Sequence, residues 1–172
     1  MLAIILGAGG QDGYYLSQLL SSEGLQLIKV SRSESFLRIN ISDWKEIKDL
    51  IRVNQPYYVF HLAAQSTTSH STWEENHNTI STSTLYLLEA VRMYSPHTKI
   101  FLSGSGLQFK NEGKPIKETD PFDASSMYAV NRIYSAYTAR YYRKLGVKVY
   151  MGYFFNHDSP LRTDRHVSKK IT

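Results

Sequence analysis

Short apolar runs alternate with helical patterns along the chain, and this alternation restricts the fold more than any other feature. The apolar runs that predict strands are residues 3–6, 25–30, 36–39, 57–61, 100–103 and 147–154. The patterns that predict helices are residues 12–22, 44–53, 73–94 and 126–145. Parallel strands need long crossover connections, and helices of this length supply them. The sequence therefore predicts an α/β fold, a doubly wound parallel sheet with helices on both faces.

Composition limits the classes of protein that this chain can be. Its 172 residues, 42% of them hydrophobic, suit one globular domain with a real core. It has no cysteine, which excludes disulfides and thiolate chemistry and suggests a cytoplasmic location. The opening MLAIIL is too short for a secretion signal or a membrane span, so it is read as a buried strand. We expect no membrane association and no metal site.

The net charge of +5 raises the question of a nucleic-acid partner. Lys and Arg are scattered along the chain, however, and are dense only in the closing RTDRHVSKK. A nucleic-acid surface requires a basic stripe or patch on one face. A specific phosphate-bearing ligand explains the charge as well, so we expect no nucleic acid.

The segment GAGGQDG follows the first predicted strand and opens the first predicted helix. Two residues separate Gly7 from Gly10, and two separate Gly10 from Gly13. A tight turn, a close approach to a pyrophosphate and close packing of helix on sheet each exclude a Cβ, and the helix N-terminus offers free N–H groups to an anion. In this context the segment predicts dinucleotide binding, to which Gln11 and Asp12 also contribute. The alternative is a simple glycine turn.

Arg32 follows the second predicted strand, where an NAD site would place an acidic side chain against the ribose 2′-hydroxyl. A guanidinium can hold a 2′-phosphate bidentately, whereas a carboxylate would repel it. The residue therefore favours NADP, with NAD as the second choice, and Asn40 and Ile41 are further candidates for cofactor binding. The alternative is a solvated surface arginine.

HLAAQS begins at the end of the fourth predicted strand. A doubly wound sheet binds its ligand at the carboxyl ends of its strands, and the small Ala63 and Ala64, with Leu62, would let a cofactor lie against the backbone there. His61 is read as a core histidine, because the neighbouring sequence offers it no partner for metal binding or proton transfer.

Several motifs together carry a family resemblance: GGQDGYYL, HLAAQS, LLEAVR, YAVNRIYSAY, FNHDSP and VSKKIT. In order, and with nearly constant spacing across essentially the whole chain, they resemble GDP-mannose 4,6-dehydratases, a branch of the extended short-chain dehydrogenase/reductase family. The resemblance implies a Rossmann domain that binds NADP, and a nucleotide sugar such as GDP-mannose held between it and a smaller C-terminal domain. In that family a tyrosine, a lysine four residues on and a Thr-x-Glu pair oxidise the sugar, eliminate water and return the hydride.

The resemblance places Tyr128 at the catalytic tyrosine and Arg132 at the lysine, and both also contribute to the cofactor site. A phenol with a pKa of about 10 is a poor base until a cation stabilises the phenolate. Arg132 supplies that charge from the same helical face, although its broad fork does not reproduce a compact ammonium, and we expect weakened chemistry. Without the resemblance, Tyr128 is better explained as a packing aromatic.

FLSGSGLQF departs from the family pattern Ser-Thr-Ser-Glu-Leu-Tyr-Gly, because Gly104 stands at the threonine and Gly106 at the glutamate. Loss of a positioned acid or base typically slows a reaction by a factor of about 10² to 10⁴. Ser105, or Ser103, is a candidate replacement for the threonine, and neither replaces the carboxylate. The following loop offers four acidic residues, namely Glu112, Glu118, Asp120 and Asp123.

Residues near the end of the chain match the start of the family's nucleotide-sugar site. His157 is assigned to cofactor binding, and the resemblance assigns the substrate to Gln65, Ser66, Asn156, Arg162 and Lys169. Arg165 and Lys170 could also meet a diphosphate, and an exposed basic tail is the alternative. We expect residues 1–172 to form the dinucleotide-binding domain and the beginning of the sugar site, with the C-terminal substrate domain largely absent from this chain.

Three functions remain open on this sequence. The first is an NADP-dependent nucleotide-sugar dehydratase, and the second is a reductase or epimerase on the same scaffold, which does not need the carboxylate. The third is a non-catalytic dinucleotide-binding module, supported by the departures at Gly104, Gly106 and Arg132. The resemblance further implies a homo-oligomer through the two long helices, with Tyr134, Tyr137 and Tyr141 as candidate contacts.

Overall fold

A computed structural model of the chain describes residues 1–65 and 67–161. Its sheet has five parallel strands in the order β2-β1-β3-β4-β5. The strands are β1 (Leu2–Leu6), β2 (Gln26–Val30), β3 (Tyr58–His61), β4 (Lys99–Ser105) and β5 (Lys148–Phe154). The strand order reverses direction at β1, so the predicted doubly wound Rossmann-type sheet is confirmed.

Helices connect the strands and cover both faces of the sheet. They are α1 (Gln11–Ser22), α2 (Trp44–Asn54), α3 (Trp73–Asn76), α4 (Ser83–Tyr94) and α5 (Met127–Lys144). Because β2 and β3 lie on opposite sides of β1, right-handed crossovers place α1 and α2 on opposite faces. No helix in the described part of the chain is long and apolar enough to cross a membrane.

The main core lies between the sheet and α2, α4 and α5. Alternate strand residues point into it, among them Ile4, Val59 and Ile100, which meet apolar residues of the helices such as Ile47 and Leu87. These side chains are fully buried, and burial of each stabilises the fold by about 1.5 to 3 kcal/mol. This core fixes the carboxyl ends of β1, β3 and β4 relative to one another.

The predicted strand at residues 36–39 is wrong. Only Leu37 pairs there, through an isolated bridge to Val30 of β2. The next residues turn away because Asn40 closes a tight turn, in which its side-chain oxygen accepts hydrogen bonds from the backbone N–H and the hydroxyl of Ser42. A short apolar run beside an edge strand therefore forms a connection instead of a sixth strand.

The predicted helix at residues 73–94 is not one regular helix. The wider turns of a π-helix, His77–Thr82, separate α3 from α4. Within this segment Ser81 donates to Asn131 Oδ1 at 2.7 Å, and His77 Nδ1 lies 3.2 Å from the same oxygen. The altered turn lets two polar side chains of one helix reach a buried amide on α5, which apolar periodicity could not indicate.

Candidate functional site

Two connected clefts run along the carboxyl ends of the strands. The β2-side cleft, of about 930 Å³, lies between the loops after β1, β2 and β3. The β5-side cleft, of about 340 Å³, lies between the loop after β1, the end of β4, the start of α5 and the segment after β5. Gly7, Gly10, Leu62 and Ala64 line both clefts, so the glycine loop joins them.

The glycine loop is packed too tightly for side chains at two of its positions. Gly7 has a φ of +92°, and a Cβ there would lie 2.6 Å from the backbone nitrogen of Ala63. A Cβ on Gly13 would lie 2.4 Å from the carbonyl oxygen of Gly7. These contacts hold the N-terminus of α1 against the sheet, with its first-turn N–H groups at the junction of the clefts, where Gln11 and Asp12 also lie.

In the β2-side cleft, Arg32 is 81% exposed and makes an ion pair with Glu75, whose Oε1 lies 2.5 Å from Nη1. Asn40, Ile41 and Ala63, which are candidates for cofactor binding, line the same cleft. Sequence reasoning missed Arg38 and Glu75, which also line it. Position relative to a predicted strand end would have suggested Arg38, whereas nothing in the local sequence links Glu75 to this cleft.

In the β5-side cleft, Tyr128 and Arg132 are brought together on one face of α5. Arg132 Nε donates to the Tyr128 hydroxyl at 3.2 Å, and both side chains are buried. A second arginine nitrogen, Nη1, donates to the carbonyl oxygen of Ser103 and, at 3.0 Å, to its hydroxyl. The predicted pair therefore exists, and its cation is anchored to the end of β4.

His61 is a buried core residue, as predicted, but it has a partner that the sequence did not reveal. Its Nε2 lies 2.6 Å from the Ser83 hydroxyl, which itself donates to the carbonyl oxygen of Thr79. Burial, together with the positive charge of Arg132, lowers the pKa of His61 to about 3. The imidazole is thus neutral, and its bond to Ser83 ties β3 to α4 beneath the cleft.

At the two positions where the sequence lacks family side chains, aromatic rings occupy the space. A Cβ on Gly104 would lie 2.6 Å from the ring of Tyr153, and one on Gly106 would lie 2.7 Å from the ring of Phe155. The Tyr153 ring also packs edge-on against Phe109, with ring centroids 4.8 Å apart. A side chain added at either glycine would therefore collide with an aromatic ring unless that ring moved.

The serines beside these glycines have structural partners. The Ser105 hydroxyl accepts from the backbone N–H of Leu107 at 3.2 Å and begins a short 3₁₀ turn, Gly106–Gln108. The Ser103 hydroxyl donates to the carbonyl oxygen of His61 at 3.0 Å. Both serines line the β5-side cleft. Among the described residues that line either cleft, none of the four loop carboxylates occurs.

The segment after β5 closes over the start of α1. His157 Nε2 lies 2.7 Å from a carboxylate oxygen of Asp12, and the Ser159 hydroxyl donates to Gln11 Oε1 at 2.9 Å. Asn156 and His157 line the β5-side cleft. The order of the motifs along the sequence did not predict these contacts, because they join residues more than a hundred positions apart.

Of the predicted substrate residues, Gln65 is described and donates from Nε2 to Glu75 Oε2 at 3.1 Å. The predictions for Ser66, Arg162, Arg165, Lys169 and Lys170 lie outside the described residues. Within residues 1–65 and 67–161, no group of three or more His, Asp or Glu side chains is arranged to hold a metal ion.

Comparison with known proteins gives the family. The family model of GDP-mannose 4,6 dehydratase matches residues 4–172. The chain belongs to the GDP-mannose 4,6-dehydratase family. GDP-mannose 4,6 dehydratase 2 of Arabidopsis thaliana is 31% identical over 201 residues, which covers 99% of this chain and 54% of the relative. GDP-mannose 4,6-dehydratase of Sinorhizobium fredii is 31% identical over 199 residues, with 99% and 57% covered.

The chain therefore spans about half the length of these relatives. Both alignments are longer than the 172 residues of the chain, so the relatives carry extra residues between matched segments. The nearly constant spacing expected from the motifs is thus not kept throughout.

Solved structures show the same fold. A putative epimerase from Burkholderia cenocepacia superposes with a TM-score of 0.86 at 18% identity, covering 98% of this chain and 58% of that one. UDP-glucose 4-epimerase of Thermus thermophilus, solved in complex with NAD, gives a TM-score of 0.74 at 24% identity, covering 88% and 54%.

Proposed function

We propose that this protein is an NADP-dependent enzyme acting on a nucleotide sugar of the GDP-mannose type, and that it transfers a hydride without eliminating water. The observation that carries the proposal is the buried contact between Arg132 Nε and the Tyr128 hydroxyl in a cleft that the glycine loop also lines. When bound, the nicotinamide ring would accept and return the hydride. The chain would supply the proton transfer and the binding site.

The two clefts fit an extended dinucleotide that crosses the glycine loop. The free N–H groups at the start of α1, beside Gly10, would meet the pyrophosphate. Arg32, Asn40 and Ile41 would hold the adenosine half in the β2-side cleft, and Arg32 favours the 2′-phosphate of NADP. The nicotinamide half would lie in the β5-side cleft, near Tyr128 and His157. Leu62, Ala63 and Ala64 would form the floor between the halves.

Tyr128 would remove the proton from a sugar hydroxyl as the hydride leaves the carbon that bears this hydroxyl, so that a carbonyl forms. The guanidinium beside its oxygen stabilises negative charge there, which a base of this kind needs. Gly106 offers no carboxylate to remove a further proton, and the Phe155 ring lies where such a side chain would project. Oxidation and reduction of the sugar, as in a reductase or epimerase, therefore suit the site better than dehydration.

The sugar nucleotide would lie at the outer end of the β5-side cleft. Asn156 lines this cleft, and Ser105 is available at its edge once the 3₁₀ turn adjusts. Gln65, Ser66, Arg162 and Lys169 remain proposed substrate contacts on the strength of family membership. The remaining half of the family's length would complete the site.

A specific observation favours a second candidate, a dinucleotide-binding module without catalysis. Nη1 of Arg132 is committed to both polar oxygens of Ser103, so part of its donor capacity is directed away from the cleft. In addition, aromatic rings fill the space beside Gly104 and Gly106. A site that had lost its chemistry while keeping its cofactor would have these features.

Calorimetric titration of the protein with NADP and NAD, and then with GDP-mannose in the presence of cofactor, separates the candidates. The enzyme proposal expects cofactor and sugar nucleotide to bind, followed by turnover. Cofactor binding with neither sugar binding nor turnover would select the module. Failure to bind either dinucleotide would contradict both.

A repair experiment tests the proposed cause of the lost elimination. Gly106→Glu with Arg132→Lys introduces the family's glutamate and lysine, and Phe155→Ala removes the ring that would collide with the glutamate. We expect the triple variant of the full-length protein to gain dehydratase activity, and Gly106→Glu alone to gain none. No gain in a triple variant that still binds both ligands would show that more than these side chains was lost.

The proposal includes a cytoplasmic homo-oligomer. Val130, Tyr134, Tyr137 and Tyr141 are exposed at spacings of four, three and four residues, so they form one stripe along α5. Such a stripe suits a helix-to-helix contact between copies of the chain. Tyr137→Glu should lower the oligomeric state measured by sedimentation, whereas Lys144→Glu near the end of the helix should not. An unchanged oligomer in Tyr137→Glu would contradict this assignment.

A further inference from the structure

Glu75 connects two loops that border the β2-side cleft. One carboxylate oxygen, Oε1, pairs with Arg32 Nη1 of the loop after β2. The other, Oε2, accepts from Gln65 Nε2 of the loop after β3. Glu75 therefore lies across the part of the cleft where the two loops come together, and both of its oxygens are used.

The Arg32–Glu75 pair is exposed, with side-chain exposures of 81% and 36%. Exposed ion pairs contribute little to stability, because water screens them and two flexible side chains must be ordered. A phosphate group carries more charge and can accept two parallel hydrogen bonds from a guanidinium. A 2′-phosphate can therefore displace Glu75 from Arg32 at small cost.

The same carboxylate suits a ribose without the phosphate. A 2′-hydroxyl is a donor, and a carboxylate is the acceptor that NAD sites commonly provide for it. Arg38 lines the same cleft and supplies a second positive charge to a phosphate. The cleft thus holds an acceptor for the 2′-hydroxyl of NAD and donors for the 2′-phosphate of NADP. The Arg32–Glu75 pair joins one group of each kind.

We propose that Glu75 determines the selectivity between NADP and NAD: it holds Arg32 and offers an acceptor to the 2′-hydroxyl of NAD, and it must release Arg32 when a 2′-phosphate binds. This inference rests on the proposed dinucleotide binding. In this account Glu75 weakens the preference for NADP. The wild-type protein should therefore accept both cofactors.

Glu75→Gln tests this most simply, because it removes the charge while leaving a side chain of the same shape that can still contact Gln65. We expect the NADP dissociation constant to fall roughly three- to tenfold and the NAD dissociation constant to stay the same or rise. This size is what a solvent-screened interaction between two charges at this distance contributes. The matched control is Glu23→Gln, an exposed carboxylate at the end of α1 that lines neither cleft. That control should change the ratio of the two constants less than twofold.

Arg32→Ala and the double variant Arg32→Ala, Glu75→Gln complete a cycle that isolates the coupling of the two residues. Arg32→Ala should weaken NADP, and Glu75→Gln should then change the ratio less than it does in the wild type, because only its contact with the 2′-hydroxyl of NAD remains to be lost. An unchanged ratio in Glu75→Gln, or equal changes for both cofactors, would overturn the inference while leaving dinucleotide binding intact. If the wild-type protein bound neither cofactor, the proposed function would itself be wrong and the inference with it.

Discussion

The glycine loop that joins the two clefts differs from the end of β4 in the kind of atoms that lie beside its glycines. In the loop that joins them, Gly7 and Gly13 occupy positions where a Cβ would collide with backbone atoms. At the end of β4, Gly104 and Gly106 occupy positions where a Cβ would collide with the rings of Tyr153 and Phe155. The first pair of glycines lets main-chain segments approach each other closely. The second pair leaves room for the protein's own side chains.

This difference shows that the space beside a glycine can be needed either by neighbouring main chain or by neighbouring side chains. Around the glycine loop the neighbours are main-chain atoms, which any dinucleotide site of this fold must bring close. Around Gly104 and Gly106 the neighbours are the rings of Tyr153 and Phe155, and the Tyr153 ring packs against the rings of Phe109 and Phe122. The two parts of one groove therefore have different neighbours, main chain at the glycine loop and aromatic rings at the end of β4.

The largest expected effect is on hydride transfer. Tyr128→Phe removes the proposed base and leaves the ring packed, so turnover of the sugar nucleotide should fall by a factor of about 10² to 10⁴. The affinity for NADP should change little. Tyr134→Phe, an exposed tyrosine on the same helix, is the control and should retain full activity. Undiminished turnover in Tyr128→Phe would place the chemistry on another residue.

The second effect concerns the glycine loop. Gly13→Ala places a methyl group 2.4 Å from the carbonyl oxygen of Gly7, so it should lower the free energy of unfolding by about 2 to 3 kcal/mol and weaken NADP binding. Gly10→Ala is the matched control, because its nearest neighbour would lie at 3.4 Å. Urea unfolding of the two variants measures the difference, and equal stability would show that the loop is not tightly packed.

The smallest expected effect is on the pH dependence of the free energy of unfolding, through His61 beneath the β5-side cleft. The pKa of His61 is about 3 in the folded protein, against an ordinary value of 6.5, so the unfolded chain binds the extra proton first as pH falls. The resulting stability is present above pH 6.5 and is lost progressively below it. Between pH 6 and pH 4.5 the loss should be about 2 kcal/mol.

His61→Gln removes the titrating group and keeps a hydrogen-bonding side chain. The variant should be less stable than the wild type at neutral pH, but its stability should fall less steeply in this interval. Urea unfolding at several pH values gives both slopes, and parallel slopes would show that His61 does not titrate as its burial requires.

The sequence predicted the parts of the molecule that depend on local pattern. Apolar periodicity and the Gly7, Gly10, Gly13 spacing predicted the sheet, the four long helical regions and the glycine loop. The same reasoning produced a false strand at residues 36–39, because an apolar run does not reveal that Asn40 turns the chain. It also missed the π-helix, from which Ser81 donates a hydrogen bond to Asn131 on a distant helix.

The candidate site was predictable only where the family motif named a residue. Tyr128 and Arg132 were expected to meet because a spacing of four places them on one helical face. The anchoring of Arg132 to Ser103, the partner of His61 and the bridge made by Glu75 all join residues far apart in sequence. Such contacts depend on how elements pack, and one sequence alone carries no signal for them.

The most direct test of the account is a single-turnover reaction of the protein with NADP and GDP-mannose. The near-ultraviolet absorbance of reduced nicotinamide would report hydride transfer, and mass analysis of the sugar product would report loss of water. We predict a transient rise in reduced nicotinamide that depends on Tyr128 and decays as the hydride returns, with no product that has lost water. A dehydrated sugar from the wild-type protein would contradict the account, because it would show that the elimination chemistry survives without a carboxylate at Gly106.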